Sequence, residues 1–312
     1  MSVALVFPGQ GAQKVGMMAE LLAASALMRE RLAEASDLVE LDLAKLVAEG
    51  LEAELNATAQ AQPVLFTLCG ALFEECAARY PELAAEVAFC AGHSLGEYTA
   101  LFAAGVIDFA TGVKLTRERG LLMGSASVPG GMRAVIGLDA DEIAPLCKAA
   151  STEGEYCSPA NINAPGQVVI SGSEAALDRA AELLKAAGAK RVLPLAVSGP
   201  FHSAYMAPVA ARMEQLLKGV SLSPARWPVV ANVTGQPVAS PEEVGLELVA
   251  QLTNGVEWVK SVQFMVDRGV HQFVELGAKD LLGGMIKRIN SEANTLSVWD
   301  TGSLEALGGG SL

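Results

Sequence analysis

The sequence predicts an α/β protein with a large three-layer domain into which a smaller domain is inserted. Three observations lead to this prediction. Short apolar segments alternate with helical segments at both ends of the chain, as expected for a mainly parallel sheet covered by helices. One of these segments runs through a G-x-S-x-G turn at 92–96 into a helix. The middle of the chain has the element order βαββαβ.

Composition limits the classes of protein that fit. The chain has 312 residues, of which 51% are hydrophobic, which is enough for one large domain with an insertion or for two domains. Apolar runs are all shorter than a membrane span, and a net charge of −13 argues against nucleic acid as a partner. The five cysteines have neither metal-ligand spacing nor a paired framework, so we expect buried free thiols.

The N-terminal part begins with a predicted strand, Val3–Phe7, followed by the segment PGQGAQ. Two glycines flank Gln10 and leave its backbone amide free to face a ligand. Helices are predicted over Met17–Arg31 and Leu38–Val47. A long helix is predicted from residue 62 to about residue 79, with a proline near its first turn.

The G-x-S-x-G turn lies between a predicted strand, Val87–Ala91, and a predicted helix, Glu97–Ala104. This is the setting of a nucleophile elbow, in which a tight turn lifts the Ser94 hydroxyl above the sheet. Gly92 and Gly96 remove side chains that would clash where strand and helix nearly touch. The elbow indicates a hydrolase-like sheet, and amides at the helix start can stabilise an oxyanion.

The next predicted helix starts at Asp108, a plausible N-cap, and runs to about Met123. It carries Arg117 and Arg119, which are two residues apart and therefore point to roughly opposite sides. At most one of them can serve a pocket. The residues alone leave open whether Arg119 does so or forms an ordinary surface ion pair.

A boundary is predicted at Pro129-Gly130-Gly131, and a compact alternation of strands and helices follows it. The order βαββαβ is that of the ferredoxin-like split unit. We therefore predict a small ferredoxin-like domain over residues 128–197. A discontinuous large domain is predicted over residues 1–127 and 198–312.

The last part of the chain contains a predicted strand at Val229–Val233, further helices and strands, and a loose tail from Gly308 onward. A serine nucleophile needs a base, and the chain has three histidines. His93 neighbours Ser94 and should point away from it, and His271 opens an apolar strand. His202 remains, although elimination alone does not decide the choice.

Two segments together carry a family resemblance. FPGQGAQ at 7–13 and GHSLGE at 92–97 resemble the malonyl-CoA:acyl carrier protein transacylases of fatty acid synthesis, and the likeness runs over almost the whole chain. The resemblance implies Ser94 as nucleophile and His202, in Phe-His-Ser, as base. It also implies that the hydrogen-bond acceptor that orients His202 comes from the chain around Gln251, in the segment Gln-Leu-Thr-Asn. The family usually has Pro where this chain has Gly255.

The resemblance also implies the substrate contacts. Arg119 would bind the malonyl carboxylate in a two-bonded fork. The amides of Leu95 and Gln10 would hold the oxyanion, and Phe201 would narrow the space beside the central carbon of the substrate. Asn232 is placed near the cleft by analogy and is predicted to contact substrate.

The predicted activity transfers malonyl from malonyl-CoA to the phosphopantetheine thiol of acyl carrier protein. No cofactor or metal is expected, because phosphopantetheine belongs to the partner. We expect the protein to be a cytoplasmic monomer that binds neither nucleic acid nor membrane. Docking of an acidic carrier would need a basic patch, for which Lys190-Arg191 and Lys287-Arg288 are candidates, although such pairs are more often simply solvated surface.

Three alternatives stay open. A malonyltransferase acting in trans for a polyketide synthase would have nearly the same sequence. A serine thioesterase would want an acidic triad member and an HGGG-type oxyanion loop, and neither is evident. A catalytically dead carrier-binding subunit is disfavoured by the intact Ser94, His202 and Arg119.

Overall fold

The computed structural model describes residues 2–126 and 129–309. The N-terminal part of the chain forms β1 (Val3–Phe7), α1 (Ala19–Ala24), α2 (Ala26–Val39), α3 (Leu43–Glu49), α4 (Glu52–Asn56), α5 (Thr58–Arg79), α6 (Leu83–Glu86), β2 (Val87–Gly92), α7 (Gly96–Ala103) and α8 (Phe109–Gly124). The middle part forms β3 (Gly131–Ile136), α9 (Ala140–Ala150), β4 (Cys157–Ala164), β5 (Gln167–Gly172), α10 (Glu174–Ala186) and β6 (Arg191–Pro194).

The last part opens with a short 3-10 helix at Ala204–Met206. It continues with α11 (Ala207–Leu217), β7 (Val229–Val230), β8 (Pro237–Val238), α12 (Pro241–Thr253), α13 (Trp258–Asp267), β9 (Gln272–Leu276), α14 (Leu282–Ile289), β10 (Asn294–Val298) and α15 (Thr301–Gly308).

The large sheet has the strand order β10-β9-β1-β2-β7-β8, and every pairing except β7 with β8 is parallel. Both of its faces are covered. Val3, Leu5 and Phe7 of β1 belong to the core on one face, while Ala4 and Val6 belong to the core on the other. Burial on both faces explains why β1 is apolar throughout instead of alternating. This arrangement confirms the predicted three-layer α/β architecture.

The parallel pairing of β1 with β2 sets the position of the elbow. Phe7 at the end of β1 lies opposite Gly92 at the end of β2, and the amide of His93 donates to the carbonyl of Phe7 at 3.0 Å. The loop at 8–13 and the elbow therefore leave the same edge of the sheet side by side. Carboxyl ends of parallel strands are where α/β proteins place their ligands.

The small sheet is antiparallel, in the order β4-β5-β3-β6, with α9 and α10 packed on it around a separate core. This order confirms the ferredoxin-like arrangement. The small sheet is tied to the large unit by backbone hydrogen bonds from Ile162 to Val256 and from Val256 to Ala160. Arg288 of α14 adds hydrogen bonds to Gln167 and to the carbonyl of Pro165.

The long helix α5 begins one turn earlier than predicted, so Pro63 lies inside it and not in its first turn. A proline has no N–H, so its presence leaves the carbonyl four residues back, that of Ala59, without its helical donor. Arg117 supplies the missing donor, since its Nη1 lies 2.8 Å from the Ala59 oxygen. Arg117 thus has a structural role on the side of α8 that faces α5.

Two predicted helices have different bounds in the structure. The segment Met17–Arg31 is not one helix, because Ser25 is extended and its hydroxyl caps α2 by accepting from Met28. The predicted helix at 38–47 is also wrong in its first half. Glu40 has a φ of 54° and ends α2, and Asp42 then caps α3.

Further differences lie near the C-terminus. The predicted strand at 229–233 is only two residues long, because the chain turns after Val230 to pair with β8. Gly308 ends a helix, α15, instead of starting a loose tail, and Asp300 caps that helix. Residues 310–312 of the predicted tail and the boundary predicted at 127/128 lie outside the described residues. Within the described ranges, no helix has the length and apolar character needed to cross a membrane.

Candidate active site

Ser94 lies in the tight turn between β2 and α7, with a φ of 52°. This left-handed conformation is strained for a residue other than glycine and is typical of functional turns. A side chain at Gly92 would run into the backbone of Gly96 and Glu97, and one at Gly96 into the backbone of Phe7. The prediction that both glycines are needed for close approach is confirmed.

Two polar side chains converge on the Ser94 hydroxyl. His202 Nε2 lies 2.7 Å from Ser94 Oγ, and Arg119 Nη2 lies 3.2 Å from the same oxygen. His202 follows the small sheet in the chain and also has a positive φ, of 56°. The structure therefore brings together a hydroxyl, an imidazole and a guanidinium from three distant segments.

The other ring nitrogen of His202 faces α12. Its Nδ1 lies 2.9 Å from the backbone oxygen of Gln251, which fixes the ring with Nδ1 protonated and Nε2 free to accept from Ser94. Burial, followed by the positive charge of Arg119, lowers the pKa of His202 to about 3. The imidazole is therefore neutral, as a general base must be. The presence of Gly255 in place of proline does not displace this acceptor.

Arg119 is buried, with 1% of its surface exposed. Its Nη1 donates to Gln62 Oε1 and its Nη2 to Gln251 Oε1, both at 2.8 Å. Within the described ranges no carboxylate forms an ion pair with it, and its Nε has no hydrogen-bond partner. Burial lowers the pKa of Arg119, which is the direction expected for a cation without a paired anion.

Asn232 lies beneath the elbow and does not line the cavity. Its Oδ1 accepts from the backbone amide of Ser94 at 2.7 Å, and its Nδ2 donates to the carbonyl of Gly92 at 2.6 Å. Both ends of the amide are thus occupied, and the residue is fully buried. The structure therefore shows Asn232 supporting the strained turn from beneath, whereas the sequence analysis predicted a substrate contact.

A cavity of about 440 Å³ opens above Ser94 between the two sheets. Of the remaining predicted residues, Gln10, Leu95 and Phe201 line it, and Gln10 Nε2 donates to Thr58 Oγ1 at 3.3 Å. Apolar side chains form much of the wall, and they are Met123, Met132, Val169, Leu195, Val197, Leu281, Leu282 and Met285. Polar side chains also line it, and they are Gln13, Asn56, His93, Asn161 and Asn163. The site is therefore a polar floor under largely apolar walls, which suits a small acyl group at the end of a longer chain.

The other two histidines have different surroundings. His93 Nε2 lies 2.8 Å from Asn163 Oδ1, so this side chain turns from the elbow towards β4. His271 is exposed just before β9. Of the three histidines, His202 is the one that the structure places at the serine.

The chain matches the model of the acyl transferase domain over residues 4–299. It belongs to the acyl transferase family. The malonyl CoA-acyl carrier protein transacylase of Haemophilus influenzae is 44% identical over 307 residues, covering 97% of both chains. The transacylase of the same name from Staphylococcus aureus is 39% identical over 297 residues, covering 95% of this chain and 94% of its own.

Solved structures of other acyl transferases have the same fold. An acyl carrier protein S-malonyltransferase from Vibrio cholerae superposes with a TM-score of 0.93 at 40% identity, over 98% of this chain and all of the other. A malonyl-transacylase in complex with a type II polyketide synthase acyl carrier protein has a TM-score of 0.94 at 42% identity, over 98% and 99% of the two chains.

Two members of this acyl transferase site, and the side-chain contacts of a third, were missed in the sequence. Gln62 was noted only as a helix start, the side chain of Gln251 was not given a partner, and Glu97 was not given a role. Glu97 did leave a signal, since it is a charged residue inside a helix that is otherwise almost wholly apolar. The hydrogen bond between Gln62 and Arg119 has no signal in the sequence, because the two residues are 57 positions apart.

The cysteines of the acyl transferase, at 69, 76, 90, 147 and 157, are all buried and free, as predicted. Burial raises the pKa of Cys69 and Cys76 to about 12, so these thiols are poor nucleophiles. In the part of the chain that the structure describes, no group of three or more His, Cys, Asp or Glu side chains is arranged to hold a metal ion.

Proposed function

We propose that the protein transfers a malonyl group from malonyl-CoA to the phosphopantetheine thiol of acyl carrier protein, through a malonyl ester on Ser94. One observation carries this proposal. Ser94 Oγ is within hydrogen-bond distance of both a neutral base, His202, and a buried cation, Arg119, in one cavity. The names of the transacylases to which the chain is similar agree with this activity.

In the first half-reaction His202 removes the Ser94 proton as the hydroxyl oxygen attacks the malonyl thioester. The negative charge on the carbonyl oxygen is stabilised by the amides of Leu95 and Gln10, which can contribute ~3–4 kcal/mol per donor. The tetrahedral intermediate then collapses to the serine ester, and the proton on His202 goes to the departing thiolate of coenzyme A.

In the second half-reaction the carrier thiol enters where coenzyme A left. His202 accepts its proton, the thiolate attacks the serine ester, and the proton returns to Ser94 as the malonyl thioester departs. The backbone carbonyl of Gln251 orients His202 throughout. A carbonyl stabilises imidazolium less than a carboxylate would, which suits a ring that must give up its proton readily in both directions.

Arg119 supplies the selectivity in this proposal. Its guanidinium can bind the free carboxylate of the malonyl group in two parallel hydrogen bonds. An acetyl group lacks that carboxylate and leaves the buried cation without an anion. Phe201, on the cavity wall, restricts the space beside the central carbon. Asn232, from its position beneath the turn, supports the geometry of Ser94.

The proposal extends to the domains and the partner. We propose a large domain of residues 1–127 and 198–312 and a small domain of residues 128–197, with the carrier protein approaching the cleft between them. Of the candidate basic pairs, Lys190-Arg191 is the better one, because Arg288 is already bonded to Gln167 and Pro165. A monomer, a cytoplasmic location and the lack of a cofactor remain predictions from the family resemblance.

A second pathway is supported by one structural neighbour. The malonyl-transacylase in complex with a polyketide synthase carrier is 42% identical to this chain, so supply of malonyl to a polyketide carrier is the second candidate. The same chemistry serves either carrier. Comparison of transfer rates to a fatty acid carrier and a polyketide carrier would separate the two.

The selectivity assay tests the proposal. The protein is incubated separately with malonyl-CoA and acetyl-CoA, quenched, and weighed intact by mass spectrometry. We expect a malonyl adduct on the wild type, none on Ser94→Ala, and a collapse of the malonyl preference in Arg119→Ala. Arg117→Ala is the matched control, because it removes a cation from the same helix outside the cavity. Retention of the malonyl preference by Arg119→Ala would contradict the assignment.

A further inference from the structure

Glu97 is a buried acid for which the proposed mechanism has no use. It lies in the first turn of α7, three residues after Ser94, with 1% of its surface exposed. Its neighbours along the helix, Tyr98, Ala100 and Leu101, are equally buried, and their side chains are apolar except for the Tyr98 hydroxyl. Burying a carboxyl among such residues is unfavourable unless it has specific partners, so its contacts are informative.

The partners of Glu97 belong to the active site. Its Oε2 accepts a short hydrogen bond from Gln251 Nε2, and its Oε1 accepts from the backbone amide of Asn232 at 3.4 Å. Glu97 does not line the cavity itself. It therefore acts on the site through Gln251 and, more weakly, through the turn that holds Asn232.

The amide of Gln251 can face Arg119 in only one way. Arg119 is a donor alone, so the amide oxygen must point towards it, and Gln251 Oε1 does lie 2.8 Å from Arg119 Nη2. The amide nitrogen then has to find acceptors on its other side. It donates to the carbonyl of Ser94 at 3.0 Å and to Glu97. With the amide reversed, its donors would face the guanidinium and its oxygen would face two acceptors.

We infer that Glu97 is a positioning residue for acyl selectivity: by accepting from Gln251 it fixes the orientation of that amide, and the amide in turn holds Arg119 beside Ser94. This inference rests on the proposed function, in which Arg119 binds the malonyl carboxylate. Glu97 itself touches neither the substrate nor the reacting atoms.

The charges are consistent with this arrangement. Burial, followed by the neighbouring Glu247, raises the pKa of Glu97 well above its ordinary value, while the hydrogen bond from Gln251 and the charge of Arg119 oppose the rise. In the other direction, the charge of Glu97 opposes the lowering of the pKa of Arg119 that burial causes. The role of Glu97 therefore rests on its acceptor contact with Gln251, which a carboxyl oxygen can provide in either protonation state.

The experiment compares Glu97→Ala, Glu97→Gln and Glu247→Ala with the wild type. Single-turnover acylation rates with malonyl-CoA and with acetyl-CoA are measured by quenched intact-mass spectrometry, and folding is checked by urea unfolding. Glu97→Gln keeps an acceptor for Gln251 Nε2. Glu247→Ala is the matched control, because the Glu247 carboxylate supports the same turn by accepting from the Val233 amide, whereas the Gln251 side chain bonds to Arg119, Ser94 and Glu97.

In Glu97→Ala we expect the malonyl-over-acetyl preference to fall by about tenfold or more, which is the scale of a lost hydrogen bond to a charged group. The loss should lie in the malonyl rate, since Glu97 does not contact the imidazole or the hydroxyl. Glu97→Gln and Glu247→Ala should keep the preference of the wild type to within about threefold.

Equal losses with both acyl groups in Glu97→Ala, an unchanged preference, or failure of Glu97→Gln to restore it would overturn the inference. If Glu97→Ala does not yield folded protein, Glu97→Asp carries the same prediction, because its carboxylate is one methylene too short to reach Gln251. The two proposals fail differently. A wild type that malonyl-CoA does not acylate refutes the proposed function, whereas a selective wild type with an equally selective Glu97→Ala refutes only the role of Glu97.

Discussion

Replacing Gly96 by alanine adds one methyl group at the closest approach of α7 to the end of β1. That carbon would lie 2.8 Å from the carbonyl carbon of Phe7 and 2.9 Å from the oxygen of Pro8, and closer still to the oxygen of Phe7. All three atoms belong to the backbone, and an ordinary contact would be 3.4–4 Å. The helix start therefore has to move away from β1, by roughly 1 Å.

That movement has two measurable consequences. Overpacking of this kind typically costs about 1–3 kcal/mol of unfolding free energy. Ser94 lies two residues before Gly96, so the displacement also reaches the hydroxyl, and a misplacement of about 1 Å can reduce a rate by ~100-fold. We expect Gly96→Ala to be destabilised by that amount and to acylate about 100-fold more slowly with malonyl-CoA.

The assays are urea unfolding and single-turnover acylation, with Gly284→Ala as the control. Gly284 is an exposed helical position at which an added methyl group meets no atom within 4 Å. Alanine there should stabilise the protein by about 0.5–1 kcal/mol and leave acylation unchanged. A Gly96→Ala variant as stable and as active as the wild type would refute the claim that the elbow depends on this close approach.

Two further predictions concern the base and its support. Since the pKa of His202 is lowered to about 3 from an ordinary 6.5, the imidazole stays neutral at mildly acid pH, and the acylation rate should be flat between about pH 5.5 and 8. A decline of the rate below pH 6.5 would show instead that His202 titrates normally. Asn232→Ala removes the acceptor for the Ser94 amide and should slow acylation with malonyl-CoA and acetyl-CoA alike, by about ten- to a hundredfold, as the turn loosens. Loss of the malonyl preference in this variant would indicate a substrate contact instead.

Local chemistry made part of the fold predictable. The elbow could be predicted from the sequence because its turn, its flanking glycines and the strand and helix on either side lie within a few consecutive residues. The elements of the small sheet could be predicted because turn-forming residues mark the end of each one. The order of strands in a sheet depends on connections that the sequence alone does not specify. The ferredoxin-like order was nevertheless predicted correctly, because the element order βαββαβ commonly folds with one strand order.

The errors also have local causes. Ser25 interrupts a helical run because its hydroxyl accepts a hydrogen bond from the amide of Met28. A serine within a helical pattern does not by itself indicate such a cap. The strand predicted at 229–233 ends early because the chain turns to pair antiparallel with β8. The helix at 301–308 was missed although Asp300 and Ser303 form a capping box, since it ends in the first of three consecutive glycines, 308–310.

The polar network of the site could not be predicted from the residues alone. Arg119, Gln62 and Gln251 come from α8, α5 and α12, and their hydrogen bonds depend on how these helices pack. The family resemblance supplied Arg119 and the neighbourhood of Gln251. It did not supply the direction of the Gln251 amide, which depends on Glu97 being within reach.

The most direct test of the account is a chase of the acyl-enzyme. The protein is loaded with malonyl-CoA, freed of coenzyme A, and then mixed with phosphopantetheine-bearing acyl carrier protein, and both proteins are mapped by peptide mass spectrometry. The account predicts malonyl on the peptide that contains Ser94 before the chase, and on the carrier thiol after it. A malonyl group on another residue, or free malonate with an unmodified carrier, would contradict it.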